Sequence, residues 1–166
     1  MWLQLSNPFC NCQQLESSKV DENNPCFISV DGVLFNKSIS KLIACPGVKF
    51  SWNIPSSVTS IGDCAFGYCT SLESVIIPFG VISIGIGVFN DCTSLENVVM
   101  PASVTEIKNV AFEGYSSLSS ISIPVSVTSI GEDSFDECDG LNHVFLPEYL
   151  AGQEWKFPRS AYVRIR

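Results

Sequence analysis

The sequence predicts a repeat solenoid, with a parallel β-sheet on one face of stacked coils and short helical turns or short strands on the other. Pro55, Pro78, Pro101, Pro124 and Pro147 enclose four consecutive blocks of 23 residues, and self-similarity at a fixed period of this order is the mark of stacked repeats. Apolar residues also hold fixed places in every block, separated mostly by Ser, Thr, Gly, Asn and acids. One coil therefore cannot bury its own apolar side chains, and stacking is what buries them.

The columns are read by laying the blocks over one another. Val58, Val81, Val104 and Val127 form one, and Ile61, Ile84, Ile107 and Ile130 the next. Phe66, Phe89, Phe112 and Phe135 follow, then Cys69, Cys92, Tyr115 and Cys138, then Leu72, Leu95, Leu118 and Leu141. Each block closes on an alternating stretch such as Ser74-Val75-Ile76-Ile77, which reads as a strand stopped by proline, a residue with no ladder donor. From Ile61 the apolar residues Ala65, Phe66, Cys69 and Leu72 are spaced as one or two helical turns across the back of the coil. Gly62, Gly85 and Gly131 sit where the chain has to bend, with Lys108 in that place in the third coil.

The stretch Ile54 to Pro78, with Val58, Ile61, Gly62, Ala65, Phe66, Cys69, Leu72, Val75 and Ile77 in its fixed places, resembles the 23-residue leucine-rich repeats of BspA-like (Treponema pallidum type) surface proteins. The likeness is close over residues 55–146. Upstream, Phe9, Cys12, Leu15 and Val20 have the same column spacing, and Val30-Asp31-Gly32-Val33-Leu34-Phe35 is similar to an insert common between such repeats. The resemblance implies a right-handed leucine-rich-repeat superhelix in a single domain, and a cell-surface or secreted protein that adheres to host, matrix or cell-surface proteins.

Taken in chain order, residues 1–20 read as a partial repeat, so the chain is expected to begin inside a coil. They hold no apolar run of seven residues, and their first basic residue is Lys19, so no secretory segment is expected there. Residues 21–54 break the period. Phe27 to Val30, an Asp31-Gly32 turn, Val33 to Phe35 and Lys41 to Ala44 read as an antiparallel meander that decorates one coil. Residues 55–146 are the four repeats. Residues 147–166 read as a C-terminal cap: a short helix near Glu148 to Lys156, an edge strand from Ala161 to Arg166, and Trp155, Phe157 and Tyr162 closing the core.

The formal charge of the 166 residues is −8, and residues 55–147 carry eleven acids against the single base Lys108. Such a surface repels phosphate backbones, which argues against nucleic acid as a partner. No stretch approaches 18 apolar residues, so no membrane insertion is expected. Four bases, Lys156, Arg159, Arg164 and Arg166, fall in the last eleven residues and make the cap the basic patch.

Of the eight cysteines, Cys12, Cys69, Cys92 and Cys138 are assigned to the inward column, where a thiol fills a corner and hydrogen-bonds the turn. Neighbouring members would lie about 4.8 Å apart, within the range of a disulfide, so spacing leaves their oxidation open. Cys10, Cys26, Cys45 and Cys64 have no repeat partner, and no paired C-x-x-C accompanies the one histidine, so no zinc site or other cofactor is predicted. The carboxylates of Glu132 to Asp139 lack the spacing of a calcium loop. His143 has no acid and nucleophile in motif with it, so no catalytic residue is assigned.

Binding is the better supported class. Strand residues facing out of the sheet form two columns: Ser74, Asn97, Ser120 and His143, and beside them Ile76, Val99, Ser122 and Phe145. An apolar row flanked by hydrogen-bonding residues on a flat or concave sheet is a common interaction surface, and Ile76, Val99, Ser120, Ser122, His143 and Phe145 are the expected contact residues. Ordinary strand propensity also explains the row, and the alternative function is a structural spacer within a longer repetitive protein.

Overall fold

The computed structural model describes residues 8–10, 12, 14–47 and 52–166. Residues 1–7, where the chain is expected to begin inside a coil, lie outside the described residues.

The interrupted segment folds as its turn residues dictate. Strands β1 (Phe27–Val30) and β2 (Val33–Asn36) pair antiparallel about Asp31 and Gly32. Both turn residues have positive φ, 52° and 80°, as a two-residue primed hairpin turn requires. Strand β3 (Lys41–Ala44) pairs antiparallel with β2, then parallel with β4 (Ser60–Ile61). Val33, Phe35 and Leu42 are fully buried, so the insert extends the repeat core.

Each repeat opens on a turn set by its proline. The carbonyls of Pro55, Pro78, Pro101 and Pro124 accept the N–H of Val58, Val81, Val104 and Val127 at 2.9 to 3.1 Å. The chain then makes a two-residue strand, β4 and its successors β6 (Ser83–Ile84), β8 (Glu106–Ile107) and β10 (Ser129–Ile130), followed by turns across the back. It returns as the front strands β5 (Ser74–Ile76), β7 (Asn97–Val99), β9 (Ser120–Ser122) and β11 (His143–Leu146). Parallel pairing runs β6 to β8 to β10 along one side, and β5 to β7, then β9 to β11 to β12 (Tyr162–Ile165), along the front.

The back is built differently from the helical turns read from the spacing. Cys64, Gly87, Val110 and Asp133 occupy one position of successive coils, and Tyr68, Asp91, Gly114 and Glu137 another. All eight have φ between 52° and 81°. Left-handed residues at two places per coil break any helix. The backbone bonds go instead to the neighbouring coil: Phe66, Phe89 and Phe112 donate their N–H to the carbonyls of Val88, Ala111 and Ser134 at 2.9 to 3.0 Å. Val110, a β-branched residue, holds its unfavourable φ because such bonds fix it from both sides.

Of the glycines read as bends, Gly131 is required for another reason. Gly131 has no positive φ, and a Cβ there would collide with the backbone N of Asn109. Adjacent coils pass too close at this point for any side chain.

Side-chain ladders fill the interior. Phe66, Phe89, Phe112 and Phe135 stack at ring separations of 5.1, 5.5 and 5.2 Å, and Phe157 continues the stack at 4.7 Å. Offset stacking of this kind adds to the burial of each ring. The Ser and Thr residues near each proline are ladders too, since Ser103 and Ser126 donate to the carbonyls of Val81 and Val104 in the preceding coil at 2.8 and 2.6 Å.

Both ends depart from expectation. Cys12 is exposed and stands outside the cysteine column, and Phe9, Leu15 and Val20 are only half buried. The first thiol of the column, Cys69, donates to the carbonyls of Cys45 and Pro46 at 3.6 and 3.8 Å. At the other end the expected short helix is two 3-10 turns, Glu148–Leu150 and Glu154–Lys156. Leu150 and Phe157 close the core, whereas Trp155 and Tyr162 are 72% and 65% exposed. Tyr162 pairs in register with the outward residue His143, which places it on the surface. Trp155 instead carries the Lys156 ammonium 4.5 Å from its ring centre.

Candidate functional site

Strand parity decides what the front sheet presents. Val75, Ile121 and Val144 turn inward and are buried, and Val98 is half buried. The residues on either side of them therefore point away from the core. Parallel register aligns Ser74 with Asn97, and Ser120 with His143 and Tyr162. Beside this row Ile76 aligns with Val99, and Ser122 with Phe145 and Arg164. The structure thus brings Ile76, Val99, Ser120, Ser122, His143 and Phe145 onto one face.

Their exposure is uneven along it. Ile76 and Val99 are 58% and 45% exposed and form the open apolar part. Phe145 is half buried, and Arg166 lies over it with its guanidinium carbon 5.2 Å from the ring centre. The same guanidinium donates to the hydroxyl of Ser122. His143 is exposed and meets the Tyr162 ring edge-on at 6.3 Å. At the opposite end Asp31, Trp52 and Asn53 stand beside Ser74 and Ile76 around a concavity of about 410 Å³.

Sequence reasoning missed Tyr162, Arg164, Arg166 and Trp52 as members of this face. The alternation of Tyr162, Arg164 and Arg166 with Val163 and Ile165 was a usable signal, but only the register shows which outward residues they join. A second exposed apolar group, Phe79, Ile82 and Val125, lies beside the proline turns and was also unforeseen.

The opposite surface is acidic. Glu113 accepts from the Asn90 amide at 2.8 Å. Partial burial, then the charges of Asp91, Glu137, Asp136 and Asp133, push its carboxyl above the usual range. Tyr68 is likewise pushed up, by burial and then by Asp91. Among the described residues no three His, Cys, Asp or Glu side chains converge as a metal cage.

The cysteines are found in three states: Cys12 and Cys26 are exposed thiols, Cys45, Cys69, Cys92 and Cys138 are buried thiols, and two are paired. Cys92 and Cys138 are buried and donate to the carbonyls of Phe66 and Phe112 at 3.0 and 2.9 Å. Burial pushes the Cys138 thiol up to about 12, and Cys92 well above its ordinary value. Cys10 and Cys64, which have no place in the repeat columns, are joined in a disulfide that closes a separation of 54 residues.

Among the described residues no helix is long and apolar enough to cross a membrane. No curated protein matches the chain. The solved structure of a leucine-rich cell surface protein from Faecalibacterium prausnitzii is similar over 95% of this chain and 43% of its own, at 30% identity and a TM-score of 0.85. The pneumococcal vaccine antigen PcpA is similar over 78% of this chain and 32% of its own, at 28% identity and a TM-score of 0.75. A leucine-rich repeat protein of T. pallidum is similar over 64% of this chain, and 63% of its own, at 25% identity and a TM-score of 0.50. The chain thus spans less than half the length of the first two. A family profile described as the BspA type leucine-rich repeat region matches residues 45–154 in 6 copies. With that match over most of its length, and with ladders of Phe, Cys and Leu as its core, the chain belongs to the BspA-type leucine-rich repeat family.

Proposed function

We propose that this domain is a non-catalytic protein-binding module of the cell surface that adheres to host, matrix or cell-surface proteins through the outward face of its front sheet. The observation that carries this reading is the pair of aligned outward rows, in which Ile76 and Val99 stay open to solvent beside Ser120, Ser122, His143 and Phe145. An apolar strip rimmed by hydrogen-bonding groups suits a protein partner. The rigid ladder behind it keeps the ordering cost of binding low. Two similar structures are described as a cell surface protein and a vaccine antigen. The Cys10–Cys64 disulfide fits an oxidising, extracellular setting.

The test is adhesion of protein-coated beads to epithelial cells and to surfaces of fibronectin, laminin and collagen. Replacing Val99, His143 and Phe145 together by Ser should abolish adhesion while circular dichroism and the melting midpoint show an intact fold. Unchanged adhesion would remove the sheet face from the account. The second reading, a spacer within a longer surface protein, draws on the chain's coverage of only 43% and 32% of its relatives. It predicts no adhesion by the isolated domain.

A further inference from the structure

The front face is segregated by charge. On the first two repeats it is bordered by Glu73 and Glu96, the residues before β5 and β7. The equivalent positions before β9 and β11 are Ser119 and Asn142, and no acid occurs in residues 119–123, 142–147 or 161–166. That stretch of surface instead gathers His143, Tyr162, Arg164 and Arg166 around Phe145. Arg164 is exposed, and the Arg166 side chain meets the neutral hydroxyl of Ser122 and the Phe145 ring, while its backbone pairs with that of Leu146 and of Glu148, the nearest acid. Among the described residues the one ion pair is Lys108 with Glu106, so neither guanidinium is matched by a carboxylate. Two unmatched guanidiniums side by side are unexpected on a chain of charge −8 whose acids crowd the opposite surface.

A guanidinium offers a planar fork of donors that fits a carboxylate, and its companion aromatic ring takes an apolar neighbour. Resting on the sheet-face reading, we propose that the C-terminal half of this face receives an acidic segment of the protein partner. In this arrangement Arg164 and Arg166 pair with its carboxylates, while its apolar side chains lie along Phe145 and Val99. The acids bordering the first two repeats then fix the polarity of docking, because a reversed segment would set carboxylate against Glu73 and Glu96.

The test uses fluorescence anisotropy with a labelled, capped octapeptide that alternates Glu with Val, beside a counterpart with Lys for Glu. The Glu peptide should bind and weaken with added NaCl, and the Lys peptide should not bind. R164E/R166E should weaken binding by about tenfold, the yield expected of two exposed ion pairs. Arg166 also contacts Ser122 and Phe145, so R164E alone provides a variant that disturbs neither contact and should still weaken binding by about threefold. Equal binding of the two peptides, or no change in either variant, would overturn the proposal. So would a heparin fragment that binds this face in preference to the Glu peptide. Loss of bead adhesion in the Val99, His143 and Phe145 variant without Glu-peptide binding strikes down the acidic partner alone. Adhesion that survives in that variant strikes down the face itself.

Discussion

The thiol of Cys92 donates to the carbonyl of Phe66, 3.0 Å away in the preceding coil, and Cys138 repeats the bond to Phe112 at 2.9 Å. Cysteine serves here as a small buried donor that ties one coil to the next, so its chemistry should be quenched. Native protein should react with iodoacetamide at the exposed Cys12 and Cys26. After denaturation six cysteines should react, and after reduction all eight, because Cys10 and Cys64 are paired. Mass spectrometry counts the adducts, and labelling of Cys92 or Cys138 in the native state would contradict the ladder.

Phe89 lies between Phe66 and Phe112 in the stack and is fully buried. Phe89→Ala should cost about 3 to 5 kcal/mol, the usual range for a buried aromatic truncated to Ala. Phe79, 75% exposed, should lose less than about 0.5 kcal/mol on the same change. Urea denaturation of the two variants measures the contrast.

Glu113 has a folded-state carboxyl pushed above its ordinary value by burial and by neighbouring acids. The folded state therefore holds this proton more tightly than the unfolded chain. The stability it contributes is present below the unfolded value and lost as pH rises through the folded one. Glu113→Gln keeps an acceptor for the Asn90 amide and removes the charge. It should raise the melting midpoint at pH 7 and converge on the wild type near pH 3. A midpoint lowered at pH 7 would show that the repulsion is not felt.

Gly131 fits because the backbone of Asn109 passes where its Cβ would be. Gly131→Ala should lower the melting midpoint, whereas Gly152→Ala, with nothing within 4 Å but a φ of 96°, isolates the cost of backbone conformation alone. A Gly131→Ala variant as stable as the wild type would mean that adjacent coils do not approach so closely.

The parts of this fold legible in sequence are those where one residue per coil does one job. Phe66, Phe89, Phe112 and Phe135 recur because each can only stack on the next, and the Asp31-Gly32 hairpin announces itself through its turn chemistry. The left-handed positions were hidden because Gly and Asp hold them only in some coils, at Gly87, Gly114, Asp91 and Asp133, while Cys64, Val110, Tyr68 and Glu137, which do not favour such a backbone, hold them in the others. Their conformation is imposed by bonds to the next coil, a non-local cause. The Cys10–Cys64 pair falls outside the cysteine column, and spacing alone does not bring together residues 54 apart. On the outward face, Ile76 and Val99 follow from strand alternation. Arg166 over Phe145 depends on the cap strand's register, which no periodicity fixes.

In the proposed function the front sheet, and not another apolar surface, is the adhesive one. The direct measurement compares bead adhesion by two variants, Ile76, Val99 and Phe145 to Ser on the front, and Phe79, Ile82 and Val125 to Ser beside the proline turns. Loss in the first variant with retention in the second is the predicted result; retention in the first with loss in the second would contradict it.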